Sequence, residues 1–225
     1  MQTSNYAVHT MDAFGAYVLS LRQQKAEYDP RNDERSGSLV ERLWTDRDHL
    51  PPYGKALLAL TLANLGDEER GRIVYQNLLQ YVVQTPETHS AHIRVPRAGW
   101  WYWWNHDIET TAWALRAMIR FEPESELAPQ IARWLINNRR NGYYWGSTRD
   151  TTLCLAAISD FVKATGEGDP DMTVTISFDG GRTEKRVHIN RDNFFTYDNS
   201  FIVEGPALTS GRHELTIRKQ GRGTL

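Results

Sequence analysis

Asp107, Glu109 and Asp150 are the residues whose type and placement come closest to chemistry. The sequence puts each in the first turn of a helix, beside an aromatic-rich loop. Paired acids at the mouth of a helical barrel could serve as the acid and base of a glycosidase. The same placement suits acids that accept hydrogen bonds from unpaired helical N–H groups and oppose the helix dipole. An acid recurs at the same place in an internal repeat, which favours the second role. Ser147, Asp150 and Glu109 are therefore read as structural residues at helix starts. His89-Ser-Ala-His92, with His106 and Asp107, could be drawn as a metal site. The first two histidines fall in a loop or strand without ligand spacing, and no HExxH helix is present, so neither metal nor other cofactor is expected. Cys154 lies mid-helix among apolar neighbours, where a thiol packs and does not react. No GxSxG, P-loop or GxGxxG occurs.

Tryptophan is the unusual entry in the composition. The chain has eight, and four of them, Trp100, Trp101, Trp103 and Trp104, fall in the run GWWYWW. They could form a platform for a carbohydrate or another partner, or fill the space between the ends of helical hairpins. Packing is the preferred reading. The 225 residues carry a formal charge of −2, which excludes a nucleic-acid or membrane binder acting by bulk charge. No apolar run approaches a membrane span. The first residues have neither the basic nor the apolar part of a signal peptide. A single cysteine excludes an intrachain disulfide framework and a cysteine-based zinc cluster.

Positioning these groups requires helices. Apolar spacing predicts seven, at about 5–26, 38–48, 52–65, 67–84, 107–121, 125–139 and 148–164. Ser38-x-x-Glu41 and Ser147-x-x-Asp150 read as capping boxes, Pro51-Pro52 as a stop and a start, and Gly66 and Gly166 as helix ends. The 107–121 and 148–164 helices are apolar on several sides, which predicts helices sandwiched in layered hairpins. Trp104–Thr111 aligns without gaps on Trp145–Thr152, an offset of 41 residues. That is the length of one helical hairpin with its loops, and a looser copy begins at Tyr53. After the GEGDP break the period changes to two. Met172–Phe178, a turn at Asp179-Gly180-Gly181, Val187 with Ile189, Phe194–Tyr197, Phe201–Val203 and Leu215 with Ile217 read as short antiparallel strands. Arg212, Arg218, Lys219 and Arg222 read as a solvated strand face.

HDIETTAWALRAMI and the run from IARWLINNRR to GSTRDTTLCLAAI resemble the last hairpins of the thioester domain of the α2-macroglobulin/complement superfamily. The matching positions are Glu109–Ala117, Ile131–Arg139, Gly142–Trp145 and Gly146–Thr151, with Arg149 where the family usually has glutamine. MDAFGAYVLSL and YGKALLALTLANLG resemble the preceding helices, and ELTIRKQGRGTL the segment after that domain. The resemblance implies a mainly α chain with a β region. Residues 1–166 would be the later part of a terpenoid cyclase-like α/α toroid, and 170–225 an incomplete antiparallel β-sandwich of CUB or macroglobulin type. A closed toroid of six hairpins needs about 246 residues, which places further hairpins before Met1.

The resemblance also implies a function. In the family a protease cuts a bait region, the molecule rearranges, and an internal Cys–Gln thioester acylates the attacker. The parent would then be an extracytoplasmic, non-enzymatic endopeptidase inhibitor. Its partners would be target proteases and the other macroglobulin domains of the same chain. The lack of disulfides and the tryptophan-rich loop point to a bacterial member. The Cys-x-Glu-Gln thioester motif itself is absent from these residues, since Leu155 and two alanines follow Cys154. No reactive residue carries over. The rival readings are an α/α-toroid enzyme, terpenoid cyclase-like or polysaccharide-processing, with Asp107, Glu109 and Asp150 as its acids, and a tryptophan-rich carbohydrate-binding module.

Overall fold

A computed structural model describes residues 3–23, 34–96, 107–166, 169–193, 196–198, 200–205, 208 and 210–223. Two compact units result, Met1–Ala164 and Thr165–Leu225. Among the described residues the first unit holds seven α-helices. They are α1 (Thr3–Gln23), α2 (Glu34–Thr45), α3 (Pro52–Asn64), α4 (Glu68–Leu79), α5 (Asp107–Phe121), α6 (Leu127–Asn137) and α7 (Thr148–Thr165). A two-stranded hairpin, β1 (Val82–Thr85) and β2 (Ser90–Ile93), lies between α4 and α5.

Helix α3 is the centre of this unit. Its start follows from Pro51-Pro52, because proline at the first helical position lacks only an N–H that would be unpaired anyway. Residues Pro52–Ala63 are all buried, as α1, α4 and α5 pack around the helix. Full burial of leucines such as Leu57, Leu58 and Leu62 contributes about 1.5–3 kcal/mol each. Gly66, at φ 80°, takes the left-handed turn that ends α3. The Asp67 amide reaches back to the Leu62 carbonyl (2.9 Å), and that of Gly66 to Ala63 (3.1 Å). The Asp67 carboxylate then accepts from the Arg70 amide at 3.1 Å and caps α4.

Two helix limits differ by four residues or more from those read in the sequence. Helix α2 begins at Glu34, so Ser38 lies inside it and does not cap it. Glu34 and Arg35 are good helix formers and extend the helix toward its N-terminus. Helix α4 ends at Leu79 and not at residue 84. Val82 and Val83 are β-branched, and Pro86 follows, so this stretch pairs as a strand with Ser90–Ile93.

The expected sandwiching holds over most of the length of α5 but not for α7, and α3 is the helix buried all round. Helix α7 buries only Asp150, Cys154, Ala157 and Phe161, and leaves Leu155 56% exposed. Helix α1 buries Ala13, Ala16 and Tyr17, while Met11, Phe14, Val18 and Leu21 remain exposed along a second face. Their 3-4-3 spacing makes a continuous apolar seam.

The second unit is a three-stranded antiparallel sheet in the order β4-β3-β5, formed by Thr183–Asn190, Asp171–Phe178 and Leu215–Arg222. Alternation along β3 places Met172, Val174 and Phe178 on the buried face. Asp179 turns the chain at φ 47°. Its carboxylate accepts from the Glu214 amide (2.9 Å) and meets His213 Nδ1 (2.7 Å), which clips the end of β3 to the approach of β5. Those contacts, the amide first, hold the Asp179 carboxyl below the usual carboxylate range. Phe201–Val203 is not a strand, contrary to the alternation. Asp198 accepts from the Ser200 amide at 3.0 Å and Lys185 binds the Ser200 carbonyl, so side chains satisfy backbone groups that a ladder would otherwise use. Phe194 and Phe195 lie outside the described residues; Thr196 and Tyr197 form a turn and a bend.

Candidate functional site

The first turns of α3, α5 and α7 meet in one polar cluster. Arg149 donates through Nη2 to Glu109 Oε1 at 2.5 Å and to the Tyr53 hydroxyl at 3.2 Å. The Glu109 side chain is 1% exposed and that of Arg149 is 37% exposed, so the pair is buried at one end and open at the other. Burial first, and then the Glu109 charge, raise the Tyr53 phenol above its ordinary value. Tyr53 is therefore a neutral hydrogen-bonding group here. Removing Arg149 would take away the guanidinium partner of the buried Glu109 carboxylate, a strongly destabilising change.

Asp150 closes the start of α7. Ser147 Oγ donates to Asp150 Oδ2 (2.8 Å) and accepts from the Asp150 amide (3.1 Å). Ser147→Ala should cost about 0.5–2 kcal/mol, read as a lower urea midpoint with an unchanged slope. Cys154 follows one turn later and is fully buried. Burial, then Asp150 and Glu109, push its thiol up to about 12. It should resist Ellman's reagent at pH 8 in the folded chain and react only at the rate of unfolding. Fast labelling without denaturant would show that it is accessible.

Asp107 and one threonine of each copy, Thr111 and Thr151 at adjacent and not equivalent positions of the repeat, act on the chain that enters each helix. Asp107 Oδ1 accepts from the Val95 amide at 2.9 Å, and Thr111 Oγ1 from the Ile93 amide at 3.0 Å. In the second copy Thr151 Oγ1 accepts from the Trp145 amide at 3.1 Å. Both copies thus use a first-turn side chain to satisfy the backbone of the incoming segment. Trp145 is buried and its indole N–H reaches the Leu135 carbonyl at 2.8 Å. Its counterpart Trp104 lies outside the described residues, as do Trp100, Trp101, Trp103 and His106.

His89 and His92 belong to no metal-holding group among the described residues. His89 takes a left-handed turn between the two strands, and its carbonyl accepts from Arg133. His92 stacks on Trp134 with ring centroids 4.7 Å apart, and burial holds its imidazole below the ordinary histidine range. Among the described residues no group of three or more His, Cys, Asp or Glu could hold a metal ion.

Glu109 joins two helix starts through Arg149, Asp150 binds Ser147 at the start of its own helix, and Asp107 accepts from the chain entering α5. Sequence reasoning found Glu109 and Asp150 but not the partners of Glu109. Arg149 and Tyr53 come from hairpins 40 and 56 residues away from Glu109 along the chain, counted from their positions. The one available signal was a charged Arg149 where glutamine is usual.

The helical unit is an array of helical hairpins whose starts are tied together by acid, arginine and threonine side chains. The chain matches the model of the A-macroglobulin TED domain over residues 39–161, more than half its length, and it belongs to that family. It is 24% identical to alpha-2-macroglobulin-like protein 1 of Mus musculus over 183 residues, 76% of this chain and 12% of that protein. Against complement C3 of Oncorhynchus mykiss it is 25% identical over 214 residues, 92% of this chain and 12% of the relative. The alpha-2-macroglobulin homolog of a Nostoc species is 23% identical over 197 residues, 86% of this chain and 10% of the relative. The chain thus spans about an eighth or less of the length of these relatives. No helix among the described residues is long and apolar enough to cross a membrane.

Proposed function

We propose that this chain is the later part of a thioester domain in an α2-macroglobulin-like, protease-trapping protein. The match to the TED domain model carries the reading. In that role the helical unit is scaffold, the reactive Cys–Gln centre is supplied by other parts of the parent, and this chain catalyses nothing by itself. The open apolar seam of α1 supports the reading, since further hairpins of the parent would cover it. Its partners are target proteases, reached through the whole parent, and the neighbouring macroglobulin domains. The parent works outside the cytoplasm.

The test uses the full-length parent with a protease that cuts it. A covalent protease adduct stable in SDS, abolished by prior methylamine, is the expected result. A protease that remains fully active on large substrates and is never retained would overturn the reading. So would turnover of a glycan or prenyl substrate that Glu109→Ala or Asp150→Ala abolishes while helicity is unchanged.

A further inference from the structure

Between Glu126 and Asp150 the sequence contains four arginines and no acid, in a chain whose overall charge is −2. Two of the four are engaged. Arg133 reaches the His89 carbonyl and Arg149 pairs with Glu109. Arg139 and Arg140 have no carboxylate partner among the described residues; Arg139 spends only its Nε, on the Ile136 carbonyl at 2.9 Å. Both sit on the turn that joins α6 to α7.

That turn is tightly built. Asn141 and Gly142 take left-handed conformations at φ 52° and 78°. The Arg140 amide donates to the Tyr144 carbonyl at 2.6 Å, and the Tyr143 amide to the Arg140 carbonyl at 3.1 Å. Buried Trp145 anchors the base of the turn. At its tip Tyr143 is 85% exposed, with Tyr144 and Ile136 partly exposed beside it. An aromatic ring so exposed adds nothing to this chain's core, yet its backbone is held in one shape. Rigid presentation lowers the entropic cost of binding.

We propose that residues 139–144 form a docking knob for an acidic segment of a protein partner. Tyrosine and arginine are the residues that most often dominate protein interfaces. Arginine pairs with carboxylates in a planar, two-pronged geometry, and all four cations of this stretch are arginine. Small ligands are gripped by concave pockets, whereas a protruding turn enters a recess on another protein. Tyr143 would fill the apolar part of that recess while Arg139 and Arg140 pair with aspartates or glutamates at its edge.

Fluorescence anisotropy of a labelled dodecapeptide of Glu, Asp and Leu, titrated with this chain, provides the test. A heparin oligosaccharide and phosphatidylglycerol vesicles serve as competing probes. The peptide should bind at low salt and weaken as salt rises. Arg139→Glu with Arg140→Glu should weaken it at least tenfold, and Tyr143→Ser about tenfold, with circular dichroism unchanged. Arg186→Glu, on the exposed face of β4, should leave binding unaltered. The proposal falls if no peptide binding is seen, if the knob variants bind like the parent chain, or if Arg186→Glu is equally weakening. It also falls if heparin or vesicles bind more tightly than the peptide and lose that binding in the same variants.

Discussion

Trp145→Ala should destabilise the helical unit by about 3–5 kcal/mol, the cost of deleting a large side chain from a packed core. Trp145 is 1% exposed, so nearly its whole side-chain volume would become a cavity. Its indole N–H also occupies the Leu135 carbonyl at the end of α6, and its own amide is held by Thr151 in the first turn of α7. One residue thus ties the end of a helix to the start of the next. Trp145→Phe separates the two contributions. It retains most of the apolar volume and removes the indole donor, while the Leu135 carbonyl still accepts from the Asn138 amide at 3.2 Å, so the loss is about 0.5–1.5 kcal/mol. Urea unfolding followed at the far-ultraviolet helix band would measure both. A loss below 1 kcal/mol for the alanine variant would mean that neighbouring side chains collapse into the gap, and that Trp145 is not the anchor described.

Gly221→Ala should disrupt the pairing of β5 with β3. Gly221 stands opposite Met172 at φ 105°, a conformation that side chains with a Cβ rarely adopt. An added Cβ would overlap the Asp171 carbonyl oxygen and lie 2.9 Å from Met172 Cα. Both obstacles are backbone, so no rotamer change relieves them. Strain of about 1–3 kcal/mol from the dihedral and a similar amount from the overlap combine at this position. Hydrogen exchange at the amides of Thr173–Phe178 should accelerate, because β3 loses its partner on one side. Gly180→Ala is the control. It has a positive φ but nothing within 4 Å of the added carbon, so it bears only the dihedral strain. Equal effects from the two variants would show that the close approach at Gly221 is immaterial.

Local signals in the sequence carried much of the architecture. Pro52 and Gly66 bound α3 through backbone chemistry that does not depend on distant neighbours. The period of two in Met172–Phe178 gave β3 because one face of that strand is buried and the other is not. Val82–Gln84 read as helix because its apolar residues continue the spacing of α4. The pairing that makes it a strand comes from Ser90–Ile93, beyond the reach of a helical window. Ser38 looked like a cap since serine and glutamate stood three apart, but two good helix formers lay upstream of it. At the site, the acids were legible by position in the repeat. The Arg149–Tyr53 contact was not, because it depends on how three helix starts converge in space.

Asp67 belongs to two helices at once. Its amide ends α3 through the Leu62 carbonyl, and its carboxylate opens α4 through the Arg70 amide. No spare residue lies between those duties. Inserting or deleting one residue at Gly66-Asp67 would break both contacts and rotate α4 by about 100°, the turn of one helical residue. Gly71 would then leave the place where it faces the Ala59 carbonyl and the Phe121 ring. This corner should therefore reject changes in length that loops ordinarily tolerate, and α3 and α4 should move together as a single lever whenever the surrounding helices rearrange.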